Sequence, residues 1–410
     1  MFEFRQEALS FNSQAVDLAD RNGPRVALYS PGIAGLGHMR RNMLIGQVLT
    51  RPPINATTLL IAEARQACAF AFPAGMDCLA LPALQKQPDG KCRPRYLPMK
   101  LGELINIRAA IIQAAATAFR PDVLIVDFLP LGRHSELQPT LESLLEAGST
   151  RCVLGLREVL ENPAWSAGAF EDEIRRYYDA VWVYGDPQVY NLIDEQHWPP
   201  DLAGRTSFTG YLDQRQRFVA KSRDGDSILD SLRLDGARLA LCLVGGGGDG
   251  AALAQAFARS DFPRDMIGVA LTGPYMPPTV KEELARLAAT RPSLRIVDFI
   301  AEPAPLIEAA DRIVAMGGYN TVSEILSFEK PALVVPRSNP PEQFVRAERL
   351  RQLGLIDVLT PNEVTPRALG DWLARDSKAP RVHACLDFSG LDRIAGLAEE
   401  LLMAAETSRL

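Results

Sequence analysis

The segment MGGYNTVSEIL, residues 316–326, places residues suited to anion binding directly after an apolar run. Gly317 and Gly318 leave the start of the following helix uncovered, so its backbone N–H groups could meet a diphosphate. Glu324, one helical turn further on, could accept hydrogen bonds from a ribose diol. The spacing from Thr321 to Glu324 also fits a capping box, in which Glu324 folds back on its own helix start. The segment therefore indicates either a ligand site or a local cap.

A second glycine-rich segment, LVGGGGDGAAL at residues 243–253, also follows an apolar run. Glycines at this point, among them Gly246 and Gly247, let backbone approach a ligand closely and would form half of a phosphate cradle. Asp249 would repel a phosphate, and it is also a candidate N-cap of the next helix. The alternative interpretation is tight packing without a ligand.

A third segment, SPGIAGLGHMRRN at residues 30–42, lacks the GxGxxG spacing of a dinucleotide fingerprint. It predicts a flexible turn ending at Gly37 that delivers His38 to the first turn of a helix. The positive helix end lowers the pKa of such a histidine and favours the neutral imidazole that a general base needs. The alternative is a tight turn with a capping histidine. Of Arg40 and Arg41, we expect one at the surface and one against an anion.

Two further candidates follow other apolar runs. The segment PRSNPPEQFVRAERL, residues 336–350, fixes a loop with prolines and then presents Glu342 and Gln343, whose side chains could bind sugar hydroxyls. The alternative for this pair is a solvated first helical turn. Asp127 ends the run DVLIVD and is the second candidate for a general base.

The composition excludes several classes of protein. The chain has 410 residues and a formal net charge of −6, which argues against a nucleic-acid binder. Six cysteines form no CxxC pair, and Cys152 and Cys242 lie inside apolar runs as expected of inert core thiols. We therefore expect a reducing, cytoplasmic setting. The N-terminal segment lacks a secretory h-region, and no apolar run is long enough to span a membrane, so membrane contact is expected to be at most peripheral.

Short apolar runs alternate with amphipathic stretches along the chain, which predicts an α/β fold with parallel sheets covered by helices. We expect a first domain at 1–212, a polar linker and hinge at 213–236, and a second domain at 237–380. A C-terminal helix follows at 381–410, and packing of this helix on the first domain is left open. The runs expected to be strands are RVALYS, TTLLIA, DVLIVD, RCVLGL and AVWVYG in the first half, and ARLALCLV, IGVALTG, LRIVDF, DRIVAM and PALVVP in the second.

Taken together, these residues resemble a known family. GGYNTVSEIL, PALVVP and EQFVRAERLRQLGL look like the donor half of GT-B glycosyltransferases, in particular family 28, which includes the peptidoglycan N-acetylglucosaminyltransferase. GIAGLGHMRRN, VDFLPLGRHSEL, GLREVLENP, YDAVWVYGDPQVYNL and GGGGDG resemble a group of predicted bacterial glycosyltransferases within it. The resemblance covers most of residues 25–365. It implies the GT-B architecture, two Rossmann-like domains facing a cleft, with a nucleotide sugar, usually a UDP-sugar, on the C-terminal domain.

The resemblance also implies roles for the candidate residues. His38 would be the general base of an inverting transfer that needs no metal and no cofactor beyond the nucleotide-sugar co-substrate. Glu324 would bind the ribose, and Glu342 and Gln343 the donor sugar. Asn339 and the two prolines after it leave the identity of that sugar open. The residues expected to meet the nucleotide and its diphosphate are Gly37, Gly246, Gly247, Gly317, Gly318, Asn320 and Thr321.

Three alternatives share these features. GLGHMRR also resembles the loop of a UDP-sugar hydrolase in pseudaminic acid synthesis, where a histidine activates water. A binding protein could keep the fold without catalysis, and a nucleotide-sugar 2-epimerase has the same architecture. The acceptor of a transferase is not identified by the sequence, and a small molecule, a lipid-linked sugar or a glycan each fit.

Overall fold

The computed structural model describes residues 23–31, 37–63, 72–86, 91–160, 168–216, 223–234, 236–300, 302–337 and 341–407. Two parallel sheets organise these residues, so the predicted α/β fold with two Rossmann-like domains is confirmed. The first sheet has seven strands and the second has six. Each half of the chain was expected to supply about five strands, and the additional ones are short or lie near the sheet edges.

The first domain contains β1 Arg25–Ser30, β2 Thr57–Ala62, β3 Met76–Ala80, β4 Leu84–Lys86, β5 Cys92–Pro94, β6 Val123–Asp127, β7 Arg151–Arg157, β8 Ala180–Tyr184 and β9 Thr206–Phe208. Its helices are α1 Gly37–Leu49, α2 Leu101–Phe119, α3 Gln138–Ala147, α4 Ala169–Tyr177, α5 Leu192–Glu195 and α6 Pro200–Ala203. The parallel strand order is β3-β2-β1-β6-β7-β8-β9, while β4 and β5 form a separate antiparallel pair. The order reverses direction beside β1, where open sheets of this type bind ligands.

The second domain follows with β10 Arg238–Leu243, β11 Met266–Leu271, β12 Leu294–Val297, β13 Arg312–Met316, β14 Ala332–Val335 and β15 Asp357–Val358, in the order β12-β11-β10-β13-β14-β15. The helices from α7 onward are α7 Arg223–Leu232, α8 Ala251–Arg259, α9 Pro278–Thr290, α10 Ala304–Ala309, α11 Tyr319–Ser327, α12 Glu342–Gln352, α13 Pro366–Ala374, α14 Val382–Cys385 and α15 Gly390–Thr407. The polar segment predicted as a linker contains α7, whose Leu232 is buried.

Burial explains why the apolar runs form the central strands. Residues 26–30 of β1 and 239–243 of β10 are buried, as parallel strands covered on both faces must be. Cys152 and Cys242 are buried within β7 and β10, and burial raises the pKa of both thiols. These two cysteines are therefore core residues, as the sequence predicted.

The two domains share one hydrophobic cluster. It includes Leu28 of the first sheet, Leu241 of the second and Ile394 of α15. Helix α15 lies against α1 of the first domain, although the chain reaches it from the second. No helix of the described residues has the length and apolar character required to cross a membrane.

A buried ionic cluster anchors the loop between β6 and α3. Arg108 of α2 pairs with Glu136 of this loop (Nε–Oε2 2.5 Å) and with Glu63 after β2 (Nη2–Oε2 3.4 Å), and the Tyr29 hydroxyl donates to Glu136. All four side chains are almost inaccessible to solvent. The Arg108 guanidinium thus contacts two buried carboxylates.

We expect Arg108→Met to destabilise the first domain by about 3–5 kcal/mol, because it removes the cation paired with the buried Glu136 carboxylate. Arg367→Met is the matched control: the Arg367 side chain is 92% exposed, so its loss should cost less than about 0.5 kcal/mol. Urea unfolding, followed by hydrogen exchange of the first-domain strands, measures the difference. Equal effects of the two substitutions would contradict the structural role of the cluster.

Candidate active site

The carboxyl ends of both sheets face a cavity of about 300 Å³. Its walls come from the start of α1 and the loop after β6 on one side, and from the loops after β10, β13 and β14 on the other. Of the residues predicted from the sequence, those that line the cavity are Gly37, His38, Gly246, Gly318, Asn320, Thr321, Glu324, Glu342 and Gln343. Asp127, Gly247 and Gly317 are not among the residues that line the cavity.

His38 is held by a buried carboxylate at the end of β6. Its Nδ1 lies 2.9 Å from Asp127 Oδ2, and the His38 side chain is 20% exposed whereas that of Asp127 is 1% exposed. An ionised carboxylate only accepts hydrogen bonds, so this contact favours a proton on Nδ1 and Nε2 as the basic nitrogen. Arg41 Nη2, which only donates, lies 3.0 Å from the same Nδ1 and opposes that preference. Asp127, the second candidate base, is therefore placed to orient the His38 ring through its contact with Nδ1.

Asp127 has two further partners. Arg41 Nη2 lies 2.5 Å from Asp127 Oδ1, and Asn42 Nδ2 donates to Asp127 Oδ2 at 3.0 Å. Burial alone would raise the pKa of Asp127, but the adjacent Arg41 and His38 outweigh it and lower that pKa to about 2. The carboxylate is thus ionised throughout the physiological range.

The pKa of His38 is lowered chiefly because its ring is buried. The Asp127 carboxylate opposes this effect, while Arg41 and Arg157 add to it. The ring also stacks on Phe128, with centroids 4.8 Å apart. Phe128 has a φ of 55°, a left-handed conformation that is unfavourable for a phenylalanine and that places its ring beside His38. The imidazole is consequently neutral and fixed in orientation.

Helix α11 begins at Tyr319 with Gly318 as its N-cap, and no side chain caps it. The alternative of a capping box from Thr321 to Glu324 is therefore wrong. A Cβ on Gly318 would meet no atom within 4 Å, so this glycine borders open space, whereas one on Gly317 would lie 3.0 Å from Pro336 Cα. The first N–H groups of α11 thus have access to the cavity, and Gly317 serves packing.

Glu324 lies inside the cavity wall opposite the first domain. Its side chain is 5% exposed, and its Oε1 lies 3.6 Å from Arg40 Nη1. Arg40 also donates to the Ile300 carbonyl at 3.4 Å. Neither Arg40 nor Arg41 is a surface residue, so the expectation that one of them would be is wrong. Residues of α1 therefore contact the second domain directly.

The glycines of the loop after β10 have two different environments. Gly245 and Gly246 line the cavity, while Gly247, with φ of 88°, packs against the Thr272 carbonyl. The N-cap of α8 is Gly250, so the prediction of Asp249 as the N-cap is wrong. Asp249 instead pairs with Arg337 of the cavity wall at 2.8 Å. This ion pair offsets the charge that counted against phosphate binding.

Glu342 and Gln343 begin α12 and are both buried, so a solvated helical turn is ruled out. Glu342 Oε2 lies 2.7 Å from Arg346 Nη1, and its Oε1 lies 3.6 Å from Arg157 of the first domain. Gln343 Oε1 accepts a hydrogen bond from the backbone of Arg337. The acid–amide pair is thereby fixed at the cavity wall.

Tyr319 was not singled out by the sequence, although it joins the domains. Its hydroxyl donates to the Tyr184 carbonyl of the first domain at 2.7 Å. Its ring lies between the guanidinium groups of Arg41 and Arg346, each 5.2 Å from the ring centroid. An aromatic residue directly after a glycine pair was the available signal, but Tyr184, Arg41 and the other first-domain partners of Tyr319 are distant in sequence.

Comparison with known proteins agrees with this geometry. Residues 241–381 match the glycosyltransferase family 28 C-terminal domain. An uncharacterized glycosyltransferase of Methanopyrus kandleri is 35% identical over 104 residues, which is 25% of this chain and 29% of that protein. A UDP-N-acetylglucosamine–N-acetylmuramyl-(pentapeptide) pyrophosphoryl-undecaprenol N-acetylglucosamine transferase of Sorangium cellulosum is 27% identical over 122 residues, 28% of this chain and 30% of that protein. These alignments span less than a third of either relative.

Solved structures share the whole architecture. The glycosyltransferase VinC, in complex with dTDP, superposes with a TM-score of 0.59 at 17% identity, covering 93% of this chain and 100% of VinC. The UDP-GlcNAc 2-epimerase of Methanocaldococcus jannaschii also gives 0.59, at 11% identity, covering 92% of this chain and 99% of the epimerase. The chain has the GT-B fold. Within that fold, residues 241–381 of the C-terminal half are similar to the glycosyltransferase family 28 C-terminal domain.

In Asp127→Asn, we expect the pKa of His38 to fall below its wild-type value, which is itself below the ordinary value of histidine. The substitution removes the carboxylate that attracts the imidazolium, while Arg41 and Arg157 continue to repel it. NMR titration measures this pKa, and His38→Gln identifies the resonance among the four histidines. A pKa that rises or stays constant would show that Asp127 does not govern the charge of His38.

Proposed function

We propose that this chain transfers a glycosyl group from a nucleotide sugar, a UDP-sugar, to a nucleophile of an acceptor, with inversion at the anomeric carbon. One observation carries the proposal: a neutral, carboxylate-oriented histidine and an uncapped helix N-terminus line the same cavity from opposite domains. The histidine can act as a general base, and the helix N-terminus can bind a diphosphate leaving group.

The donor occupies the second-domain wall in this proposal. The diphosphate lies at the start of α11, near Gly318 and Thr321, with Gly246 on its other side. Glu324 accepts hydrogen bonds from the ribose hydroxyls, and Arg40 balances its charge. Glu342 and Gln343 contact the sugar. Support for the nucleotide comes from the names of relatives, one of which is a UDP-N-acetylglucosamine-dependent transferase.

The acceptor approaches from the first domain, where His38 Nε2 takes the proton of its nucleophile. The nucleophile forms a bond to the anomeric carbon from the face opposite the diphosphate, and the bond between that carbon and the diphosphate oxygen breaks. The electron pair leaves with UDP, and the proton stays on His38. Asp127 stabilises the imidazolium that forms, as a buried carboxylate does in a catalytic triad. The dipole of α11 stabilises the diphosphate leaving group.

Hydrolysis uses the same groups, because the imidazole that deprotonates an acceptor can deprotonate water. The fold also occurs in a 2-epimerase, so architecture alone does not select transfer. Incubation of wild-type protein with UDP-sugars, with and without an acceptor panel, separates the three reactions. Acceptor-dependent UDP release supports transfer, whereas equal release without acceptor, or an epimerised donor seen by NMR, contradicts it.

His38→Ala should lower the turnover number by about 10²–10⁴-fold, the usual effect of removing a general base. The dissociation constant for UDP should change little, because His38 belongs to the first-domain wall. Calorimetry with UDP and a UDP-release assay on one preparation measure both quantities. Loss of UDP binding in parallel with turnover would place His38 in the nucleotide site, and full turnover would identify another base.

Gly318→Val should abolish UDP binding without loss of stability. The new side chain enters open space at the cavity wall, where the diphosphate is proposed to lie. Gly396→Val is the matched control, because its Cβ also meets no atom within 4 Å but lies on α15. Calorimetric UDP titration compares the two variants. Normal UDP affinity in Gly318→Val would move the diphosphate away from the start of α11.

A further inference from the structure

The two walls of the cavity differ in charge. The lining residues of the first domain include Arg40, Arg133 and Arg157, and among the described residues that wall has no carboxylate. The second-domain wall contributes three carboxylates and one cation, Arg337, which is paired with Asp249. The carboxylates are those of Asp298, Glu324 and Glu342. Opposite charges therefore face each other across the cavity.

Two of the three first-domain arginines lie close to a carboxylate of the second-domain wall. Arg40 lies 3.6 Å from Glu324, and Arg157 lies 3.6 Å from Glu342. Arg133 differs from both: within the part of the chain that the structure describes, it makes no ion pair, and its Nε is buried without a hydrogen-bond partner. No described residue supplies a negative group to this cavity-lining guanidinium, and an anionic ligand in the cavity would supply one.

The position of Arg133 is specified by its surroundings. It lies on the loop from Phe128 to Leu137, which also follows the end of β6 that holds His38 through Asp127. Gly132 has a φ of 76°, and a Cβ there would lie 3.1 Å from Glu136 Cγ and 3.2 Å from the Tyr29 hydroxyl. Glu136 in turn is tied to buried Arg108. The loop thus presents Arg133 beside the candidate base on a fixed support.

We propose that Arg133 binds an acidic group of the acceptor, a carboxylate or a phosphate, while the nucleophile of the acceptor lies at His38. This inference rests on the proposed function and narrows its unknown substrate to an anionic class. The donor diphosphate is the competing claimant, but its proposed contacts all lie on the second domain. Arg133 shares a loop with Phe128, which stacks on His38, and so belongs to the acceptor side.

Three probes that share the same sugar ring test the proposal on the full-length, UDP-saturated protein. They are glucose, glucuronate and glucose 6-phosphate. Saturation-transfer NMR measures their dissociation constants. We expect at least one acidic probe to bind about tenfold or more tightly than glucose, since hydrogen bonds to charged groups are strong. The two acidic probes distinguish a carboxylate from a phosphate. Binding of both at the level of glucose would overturn the proposal.

Arg133→Gln should remove this preference for the acidic probe and leave UDP affinity unchanged. Arg133→Lys, which keeps the charge without the planar fork, should retain part of it. The neighbouring, exposed His134→Gln is the control for disturbance of the loop and should behave as wild type. A tenfold loss of UDP affinity in Arg133→Gln would assign Arg133 to the donor diphosphate and refute the inference.

The two proposals fail separately. If wild-type protein binds no UDP, the proposed function is wrong, and titration of the same probes without nucleotide still decides whether Arg133 selects an acidic ligand. If UDP binds and the acidic preference is unaffected by Arg133→Gln, only the assignment of Arg133 is wrong.

Discussion

The buried carboxylate of Asp127 is the interaction on which the rest of the site depends. It ends a central strand and contacts His38, Arg41 and Asn42 from the first two turns of α1. One carboxylate therefore determines where α1 begins relative to the first sheet. Because Arg41 also lies against Tyr184 and Tyr319, the same contact extends to the second domain. An unpaired charge at this depth would be very costly, so all of these groups are held together.

The domain interface is itself built from charges and aromatic rings. Arg346 lies between Glu158 of the first domain and Glu342 of the second, with Nε 2.6 Å from Glu158 and Nη1 2.7 Å from Glu342. Such buried ion pairs add little net stability compared with apolar packing, but they tolerate only one geometry. The acid at the start of α12 is thus part of an interdomain network as well as of the cavity wall, and its orientation depends on both domains.

Much of the fold follows from local pattern. Runs such as RVALYS and TTLLIA became strands with the predicted bounds, because buried parallel strands are continuous apolar segments. The glycine pair before α11 also predicted an exposed helix N-terminus, since backbone without side chains at a strand-to-helix turn is typical of anion-binding sites. The sequence could not show that Thr321 lies inside the helix, because a capping box and a third helical residue have the same spacing.

Other features depend on contacts between distant segments. Arg41 and Asp127 are 86 residues apart, and nothing in either neighbourhood specifies the pair. Arg40 was ambiguous for the same reason, since only the second domain supplies Glu324 as its partner. Asp249 resembled a cap because Asp often occupies that position, yet Gly250 took it and Asp249 met Arg337. The sequence showed which chemistry each side chain could perform. Its contact partner depended on tertiary packing and could not be predicted from the sequence.

The C-terminal helix carries a consequence for movement between the domains. The chain crosses from one domain to the other before α7 and again before α15, and the two crossings touch: Leu212 and Ser389 form an antiparallel bridge, and Tyr211 N–H donates to the Asp387 carbonyl at 2.7 Å. We expect these two adjacent connections to act as a narrow double-stranded hinge. Such a hinge would permit bending about one axis and resist twisting, so that the walls of the cleft would separate and return to the same relative position.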